Sequence, residues 1–194
     1  MALLAGFADP VRESQRAFRA TLDALAHPGR VVEIASSATP PSPLAPATVA
    51  VILTLLDYDT PVWLDPAAAT ADAIEYVRFY CGAPLVAAPG DARFAVVAEA
   101  AALPPFGVFD PGTDERPDRS TTVILQVAAL RAGQGRRLRG PGIAGESRLD
   151  IHGAPPRLWD GLRANLETFP RGIDVVLCAG DTVAALPRTI RVED

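Results

Sequence analysis

The chain of 194 residues contains no lysine, because all 18 of its basic residues are arginine. Without a lysine amine, the protein cannot form the Schiff base that anchors pyridoxal phosphate or a carbonyl substrate. It also cannot build a P-loop, whose lysine reaches the terminal phosphates of a nucleotide. Composition alone therefore excludes these two kinds of site.

Cysteine and histidine are almost as scarce. The two cysteines, Cys81 and Cys178, are too few for a disulfide framework, and their apolar surroundings predict buried thiols in a reducing compartment. The two histidines, His27 and His152, lack ligand spacing to either cysteine, so we expect no metal site. The sequence has no G-x-S-x-G motif, although spacing alone leaves a Ser–His–Asp triad open.

Neither a membrane nor a nucleic acid is expected as a partner. The net charge of −5 disfavours contact with a phosphate backbone. Four prolines interrupt the uncharged stretch at residues 34–56, which leaves only residues 47–56 as an apolar run too short to span a bilayer. The amino terminus lacks the basic region of a signal peptide. We therefore expect one cytoplasmic domain over residues 1–194.

Apolar periodicity predicts helices alternating with short strands. Asp9 and Pro10 are typical of a helix start, and Val11, Phe18 and Leu22 share one face of the helix that follows, together with Leu25. Helices are predicted over residues 10–27, 47–56, 67–80 and 156–169. Strands are predicted over residues 31–34, 61–64, 85–87, 94–97, 121–127, 136–139, 173–178, 183–186 and 189–192. This order favours an α/β fold, with a layered mixed sheet and flanking helices.

A glycine-rich segment at residues 140–145 fits the pattern G-x-G-x-x-G, and Asp160 follows Gly140 by 20 positions. In a dinucleotide site the last glycines open a helix whose amino terminus holds the pyrophosphate. Here residues 146–156 contain a glycine and two prolines and show no helical pattern. We therefore interpret the segment as a turn after a strand.

Two aspartates, Asp57 and Asp59, follow an apolar run, as the paired aspartates do in haloacid-dehalogenase phosphatases. A stand-alone, Mg²⁺-dependent phosphotransfer enzyme using these carboxylates is one hypothesis. The resemblance is incomplete, because the preceding residues are predicted to be helical and Pro61 stands where that family has threonine or valine. The other interpretation is a polar turn between a helix and a strand.

A basic segment carries Arg131, Arg136, Arg137 and Arg139 in an otherwise acidic chain. These guanidinium groups are suited to binding a phosphate or a carboxylate of a partner. The alternative is a solvated hairpin whose turn lies at residues 133–135.

An ordered set of segments resembles the PhnH family of the bacterial carbon–phosphorus lyase system. The segments are FR at 18–19, LAHPG at 25–29, LLDYDTPVWL at 55–64, RF at 78–79, AP at 83–84, TVILQV at 122–127, leucine at 138, GPGI at 140–143, FP at 169–170, GID at 172–174 and ALPRT at 185–189. They run through almost the whole chain in order.

The resemblance implies a fold similar to the large domain of type I pyridoxal-phosphate-dependent transferases, but without the cofactor. It also implies a homodimer that joins a core complex with the G, I and J subunits. That complex displaces adenine from ATP with a phosphonate, and the J subunit later cleaves the carbon–phosphorus bond. On this basis we expect a non-catalytic or assisting subunit with no cofactor and no catalytic residue of its own. An alternative is a regulatory module that binds a phosphonate or a nucleotide through Arg136, Arg137 or Arg139.

Polar residues within the matching segments are the candidate contacts for a ligand or a partner, since such residues at element ends often carry function. They are Asp57, Asp59, Arg78, Arg171 and Arg188. The competing explanation is that these arginines form internal ion pairs with these aspartates.

Overall fold

The computed structural model describes residues 3–193. Within that range, four helices, α1 to α4, span Pro10–Ala26, Pro46–Leu55, Ala71–Cys81 and Pro156–Thr168. Nine strands, β1 to β9, span Val32–Glu33, Val62–Leu64, Phe94–Val97, Thr122–Gln126, Ala129–Arg139, Ser147–His152, Asp174–Ala179, Thr182–Leu186 and Arg191–Glu193.

The strands of residues 3–193 form two sheets. The larger sheet has the order β1-β8-β7-β4-β3-β2. In it β2, β3, β4 and β7 run parallel to one another. Strand β8 pairs antiparallel with β7, and β1 pairs antiparallel with β8. The smaller sheet, β6-β5-β9, is antiparallel throughout. The predicted α/β architecture, with a mixed sheet and flanking helices, is confirmed.

The larger sheet separates two apolar cores, because successive residues of a strand face opposite sides. Val96 and Val176 pack on one face with α1, α2 and α3. Their neighbours Val97 and Leu177 pack on the other face with α4 and the smaller sheet. Residues 47–52 of α2 are all buried, as the apolar composition of this helix predicts.

Helix α1 begins where the sequence predicts. The Asp9 carboxylate accepts a hydrogen bond from the Arg12 amide at 3.1 Å. One turn on, the buried Glu13 carboxylate accepts from the Asp9 amide at 3.1 Å, and from the Ser37 amide and hydroxyl at 2.8 and 2.7 Å. Glu13 therefore ties the helix start to the loop that follows β1.

The change Glu13→Gln is expected to lower the free energy of unfolding by about 1–2 kcal/mol at pH 7, because an uncharged amide replaces a carboxylate that accepts three hydrogen bonds. Hydrogen bonding by the Ser37 amide is the main cause that lowers the pKa of Glu13. A folded-state pKa below the unfolded one stabilises the fold above the unfolded pKa, and that contribution is lost as the pH falls through the folded pKa.

Denaturant titration at neutral and at acidic pH checks this prediction. The stability difference between wild type and Glu13→Gln should shrink at acidic pH. The control Glu75→Gln, at an exposed position of α3, should change stability little at either pH. A Glu13→Gln effect that does not vary with pH would contradict the assignment.

Helix α3 is shorter than predicted at its start. The sequence predicts a helix from residue 67, but α3 begins at Ala71 after Thr70, whose hydroxyl accepts from the Ala73 amide at 3.2 Å. The preceding residues form a turn instead, because the buried Asp65 carboxylate accepts from the Ala68 amide at 2.7 Å. The predicted end is confirmed, since Gly82 adopts the left-handed conformation after the last turn.

The strand predicted at residues 85–87 is wrong. Leu85 makes an isolated bridge with Val62, and the chain then turns into the short 3₁₀ segment Pro89–Asp91. The edge strand beside it, β2, is only three residues long, so it offers little backbone with which to pair.

The hairpin turn predicted at residues 133–135 is also wrong. Strand β5 continues through these residues, and both Ala132 and Arg136 pair with Leu149, so the glycines lie in a bulge. The actual turn is the glycine-rich segment at residues 140–146, which leads into β6 rather than into a helix. The interpretation of that segment as a turn is confirmed, whereas strand β6 was not predicted.

Both cysteines are free thiols in apolar surroundings. Cys178 is fully buried in β7, and Cys81 is partly buried at the end of α3. Burial raises the pKa of each thiol to about 12, so both are protonated at neutral pH. Among the helices of residues 3–193, none combines the length and apolar character needed to cross a membrane.

Candidate functional site

The topology brings the predicted contact residues to one end of the larger sheet. We call this end, where β2, β3, β4 and β7 begin, the amino edge. Asp57 and Asp59 lie between α2 and β2, and Arg171 precedes β7. Arg188 follows the antiparallel strand β8, which ends at the same edge, and Arg78 lies in the last turn of α3. Ligands of open parallel sheets usually bind at the opposite, carboxyl edge.

The two aspartates shape the turn that enters β2. The Asp57 carboxylate accepts a hydrogen bond from the Asp59 amide at 2.9 Å, and the Thr60 hydroxyl donates to the Asp57 carbonyl at 2.9 Å. This confirms the interpretation as a polar turn between a helix and a strand. Within residues 3–193 no group of three or more His, Cys, Asp or Glu side chains is placed to hold a metal ion.

Arg188 is the centre of a half-buried hydrogen-bond network at the amino edge. Its backbone amide and Nε donate to Asp174 Oδ1 at 2.8 and 3.2 Å, and its Nη2 donates to Asp174 Oδ2. Nη2 also donates to Ser120 Oγ at 2.6 Å. Nη1 donates to the carbonyls of Pro117 and Pro170 at 2.8 and 3.4 Å. The Arg188 side chain, with an exposure of 14%, thus joins its own segment to those at residues 117–120 and 170–174.

The other two predicted arginines are more exposed. Arg171 lies 3.2 Å from Asp114, and both side chains face solvent. Arg78 is exposed and makes no ion pair in the part of the chain that the structure describes. Internal ion pairing therefore holds for Arg188 and Arg171, but their partners are Asp174 and Asp114 rather than the predicted Asp57 and Asp59.

A cleft of about 390 Å³ opens at the amino edge beside this network. Its lining residues are Asp59, Thr60, Arg93, Phe94, Arg116, Asp118, Arg119, Ser120 and Thr122. Arg116 is paired with Asp118 through two contacts of 3.3 and 3.4 Å. The Nη1 atom of Arg93 is buried and has no hydrogen-bond partner among residues 3–193. A buried donor of this kind is costly unless a ligand or solvent satisfies it.

Sequence reasoning missed Arg93, Arg116 and Arg119 as site residues. A signal was available for Arg93, since it directly precedes the buried strand β3 at the same edge as Asp59. Arg116 and Arg119 lie in the loop between β3 and β4, and no motif marks them.

A second cleft, of about 630 Å³, is lined by the residues that follow α1 and by the β5–β6 turn. It brings residues 27–30 of the LAHPG segment next to residues 142–148. His27 Nδ1 lies 2.9 Å from Asp23 Oδ1, and Arg30 Nη1 lies 3.1 Å from both Asp23 oxygens. The hydrogen bond from Arg30 is the main cause that lowers the pKa of Asp23. Two segments that carry the family resemblance therefore meet in space.

Three arginines of the basic segment make side-chain contacts within the chain. Arg137 and Arg139 lie 3.8 and 3.6 Å from the Glu193 carboxylate of β9, and the Arg136 guanidinium lies 5.0 Å from the centre of the Trp159 ring. These arginines lie on a paired strand rather than on a solvated hairpin tip.

Comparison with known proteins decides the family. The model of the bacterial phosphonate metabolism protein PhnH matches residues 5–193. The chain belongs to the PhnH family.

Relatives of known designation agree with this assignment. The "alpha-D-ribose 1-methylphosphonate 5-triphosphate synthase subunit PhnH" of Rhizobium meliloti is 45% identical over 187 residues, which cover 96% of this chain and 94% of the relative. The "putative C-P lyase subunit protein HtxG" of Stutzerimonas stutzeri is 30% identical over 190 residues, which cover 92% of this chain and 85% of the relative. The PhnH resemblance recognised in the sequence is confirmed.

Proposed function

We propose that this PhnH-family protein is an assisting subunit of the carbon–phosphorus lyase complex in phosphonate catabolism. The observation that carries the proposal is the family match over residues 5–193, together with 45% identity to a protein designated a subunit.

The proposal extends to partners and location. We infer that the protein is a cytoplasmic homodimer that joins the G, I and J subunits, as the family resemblance implies. We also infer a single domain over residues 1–194, since one sheet contributes side chains to both cores. The sheet flanked by helices on both faces is compatible with a fold related to the large domain of type I pyridoxal-phosphate transferases. Light scattering of the purified protein measures its molar mass in solution, which should be twice that of one chain.

We propose Asp59 and Arg78 as the first contacts to test among the predicted residues. Asp59 lines the amino-edge cleft, and Arg78 is exposed on α3. The other three predicted residues already have partners within the chain. Asp57 accepts a hydrogen bond from the Asp59 amide, Arg171 pairs with Asp114, and Arg188 pairs with Asp174.

Gene deletion tests the proposed function. A strain lacking this protein should not grow on methylphosphonate as sole phosphorus source, but should grow normally on inorganic phosphate. The intact gene supplied on a plasmid should restore growth. Normal growth of the deletion strain on methylphosphonate would overturn the proposal.

A second candidate function is oxyanion binding in the amino-edge cleft. The specific observation is the buried, unpartnered Nη1 of Arg93, a residue that lines the same cleft as Arg119, Ser120 and Thr122. A phosphate or phosphonate group would accept hydrogen bonds from these donors.

Calorimetric titration at low ionic strength, with methylphosphonate and with inorganic phosphate, measures this binding. Saturable binding should weaken about tenfold in Arg93→Gln, because one charge-assisted contact is lost. The control Arg12→Gln, on the exposed surface of α1, should bind like wild type. Absence of saturable binding by wild type would reject this candidate function.

A further inference from the structure

The exposed side of helix α1 carries a seam suited to packing against another helix. Val11, Gln15, Phe18, Leu22 and Leu25 are separated by alternating steps of four and three residues. This is the spacing of the contact positions in a coiled coil. Val11, Phe18 and Leu22 are 81%, 49% and 52% exposed, and Leu25 is partly buried.

The protein's own core uses only Leu25, at one end of this seam. Helix α1 packs on α2 and β8 through a different side, where the small residues Ala17, Ala20 and Ala24 are buried. An apolar helix face at this spacing normally lies against a core. The seam is therefore left for another chain, with Gln15 as a polar position inside it that can set register.

Charge beside the seam indicates what kind of helix fits. One flank carries Arg12, which lies 3.6 Å from Asp9, and Arg19, whereas the other carries Ser14 and the buried Thr21. A partner helix with aspartate or glutamate opposite the two arginines would complement this flank.

A second copy of α1 does not supply those carboxylates. An antiparallel copy would place Arg19 near its own counterpart, and a parallel copy would place Ser14 opposite the arginine flank. A different subunit therefore fits better than a homodimer through this helix.

We propose that the seam on α1 binds an amphipathic helix of another subunit of the complex, with acidic residues along the flank that faces Arg12 and Arg19. This inference rests on the proposed function, because it needs a partner chain. Beyond the proposed function, it specifies the binding surface on α1, a helical partner segment and a negative charge on that segment.

Affinity purification of tagged variants from phosphate-starved cells tests the proposal. Wild type should recover the other subunits, whereas Phe18→Glu and Leu22→Glu should each recover about tenfold less, since a central apolar contact is replaced by a charge. The matched control Leu166→Glu, at a 37% exposed position of α4 on the opposite face of the sheet, should recover wild-type amounts. Arg19→Glu should reduce recovery several-fold.

The possible failures are distinguishable. Full recovery by Phe18→Glu, with thermal unfolding like that of wild type, overturns this inference and leaves the proposed function standing. Conversion of the isolated protein from dimer to monomer by Phe18→Glu also overturns it, because the seam would then bind a second copy. Recovery of no subunit by wild type overturns both.

Discussion

The variant Arg188→Ala is expected to lose about 3 kcal/mol or more of unfolding free energy, the range seen when one partner of a buried ion pair is removed. Alanine would leave Asp174 half-buried without its guanidinium, and it would release the carbonyls of Pro117 and Pro170. The connections before β4, β7 and β9 would then lose their common anchor. Denaturant titration of the variant against wild type measures the loss.

Two further variants show whether geometry or charge matters at this position. Arg188→Lys should recover only part of the stability, because an ammonium group cannot reproduce the forked contacts made by Nε, Nη1 and Nη2. Arg171→Ala, which removes an exposed pair with Asp114, should cost less than about 1 kcal/mol. Equal effects of Arg188→Ala and Arg171→Ala would contradict the described network.

The variant Gly142→Ala is expected to destabilise the protein by about 2–4 kcal/mol, which combines overpacking with backbone strain. Gly142 has φ of 81°, and a Cβ atom at this position would clash with the carbonyl oxygen of Ala26. The β5–β6 turn would therefore have to move away from the end of α1. Thermal and denaturant unfolding measure the loss.

Gly145 provides the matched control in the same turn. It has φ of 84°, but a Cβ atom there would meet nothing within 4 Å. Gly145→Ala should cost only the strain of a left-handed alanine, about 1 kcal/mol. If both variants lose the same stability, the close approach of Gly142 to α1 is not the reason for glycine at that position.

Local signals were sufficient to predict much of the fold. The start of α1 follows from Asp9 and Pro10, and the end of α3 follows from Gly82. Strands such as β4 could be predicted from their β-branched and apolar residues. Each of these features depends on side chains within one or two turns of the position concerned.

Several errors in the prediction come from contacts between distant residues. Glycines at 133 and 135 are typical of a turn, but β6 pairs with the strand across them and makes them a bulge. The sequence also does not show which face of α1 meets the core: the small alanines pack there, whereas Val11, Phe18 and Leu22 are exposed on another face. No local pattern distinguishes a face that binds another chain from one that faces the protein's own core.

The candidate site shows the same division. Its position at the amino edge follows from the order of helices and strands, and the polar residues there could be recognised in the sequence. The partners of Arg188 could not be predicted from the sequence, because Asp174 lies on a neighbouring strand and Ser120 comes from a third segment. The buried Nη1 of Arg93 becomes apparent only when the surrounding chain is in place.

Co-purification tests the central claim most directly. A tagged copy of the protein, expressed from its own promoter in phosphate-starved cells, is captured and its partners are identified by mass spectrometry. We predict that the other carbon–phosphorus lyase subunits are recovered in fixed ratio to the tagged chain. Recovery of the tagged chain alone, from cells that contain those subunits, would contradict the account.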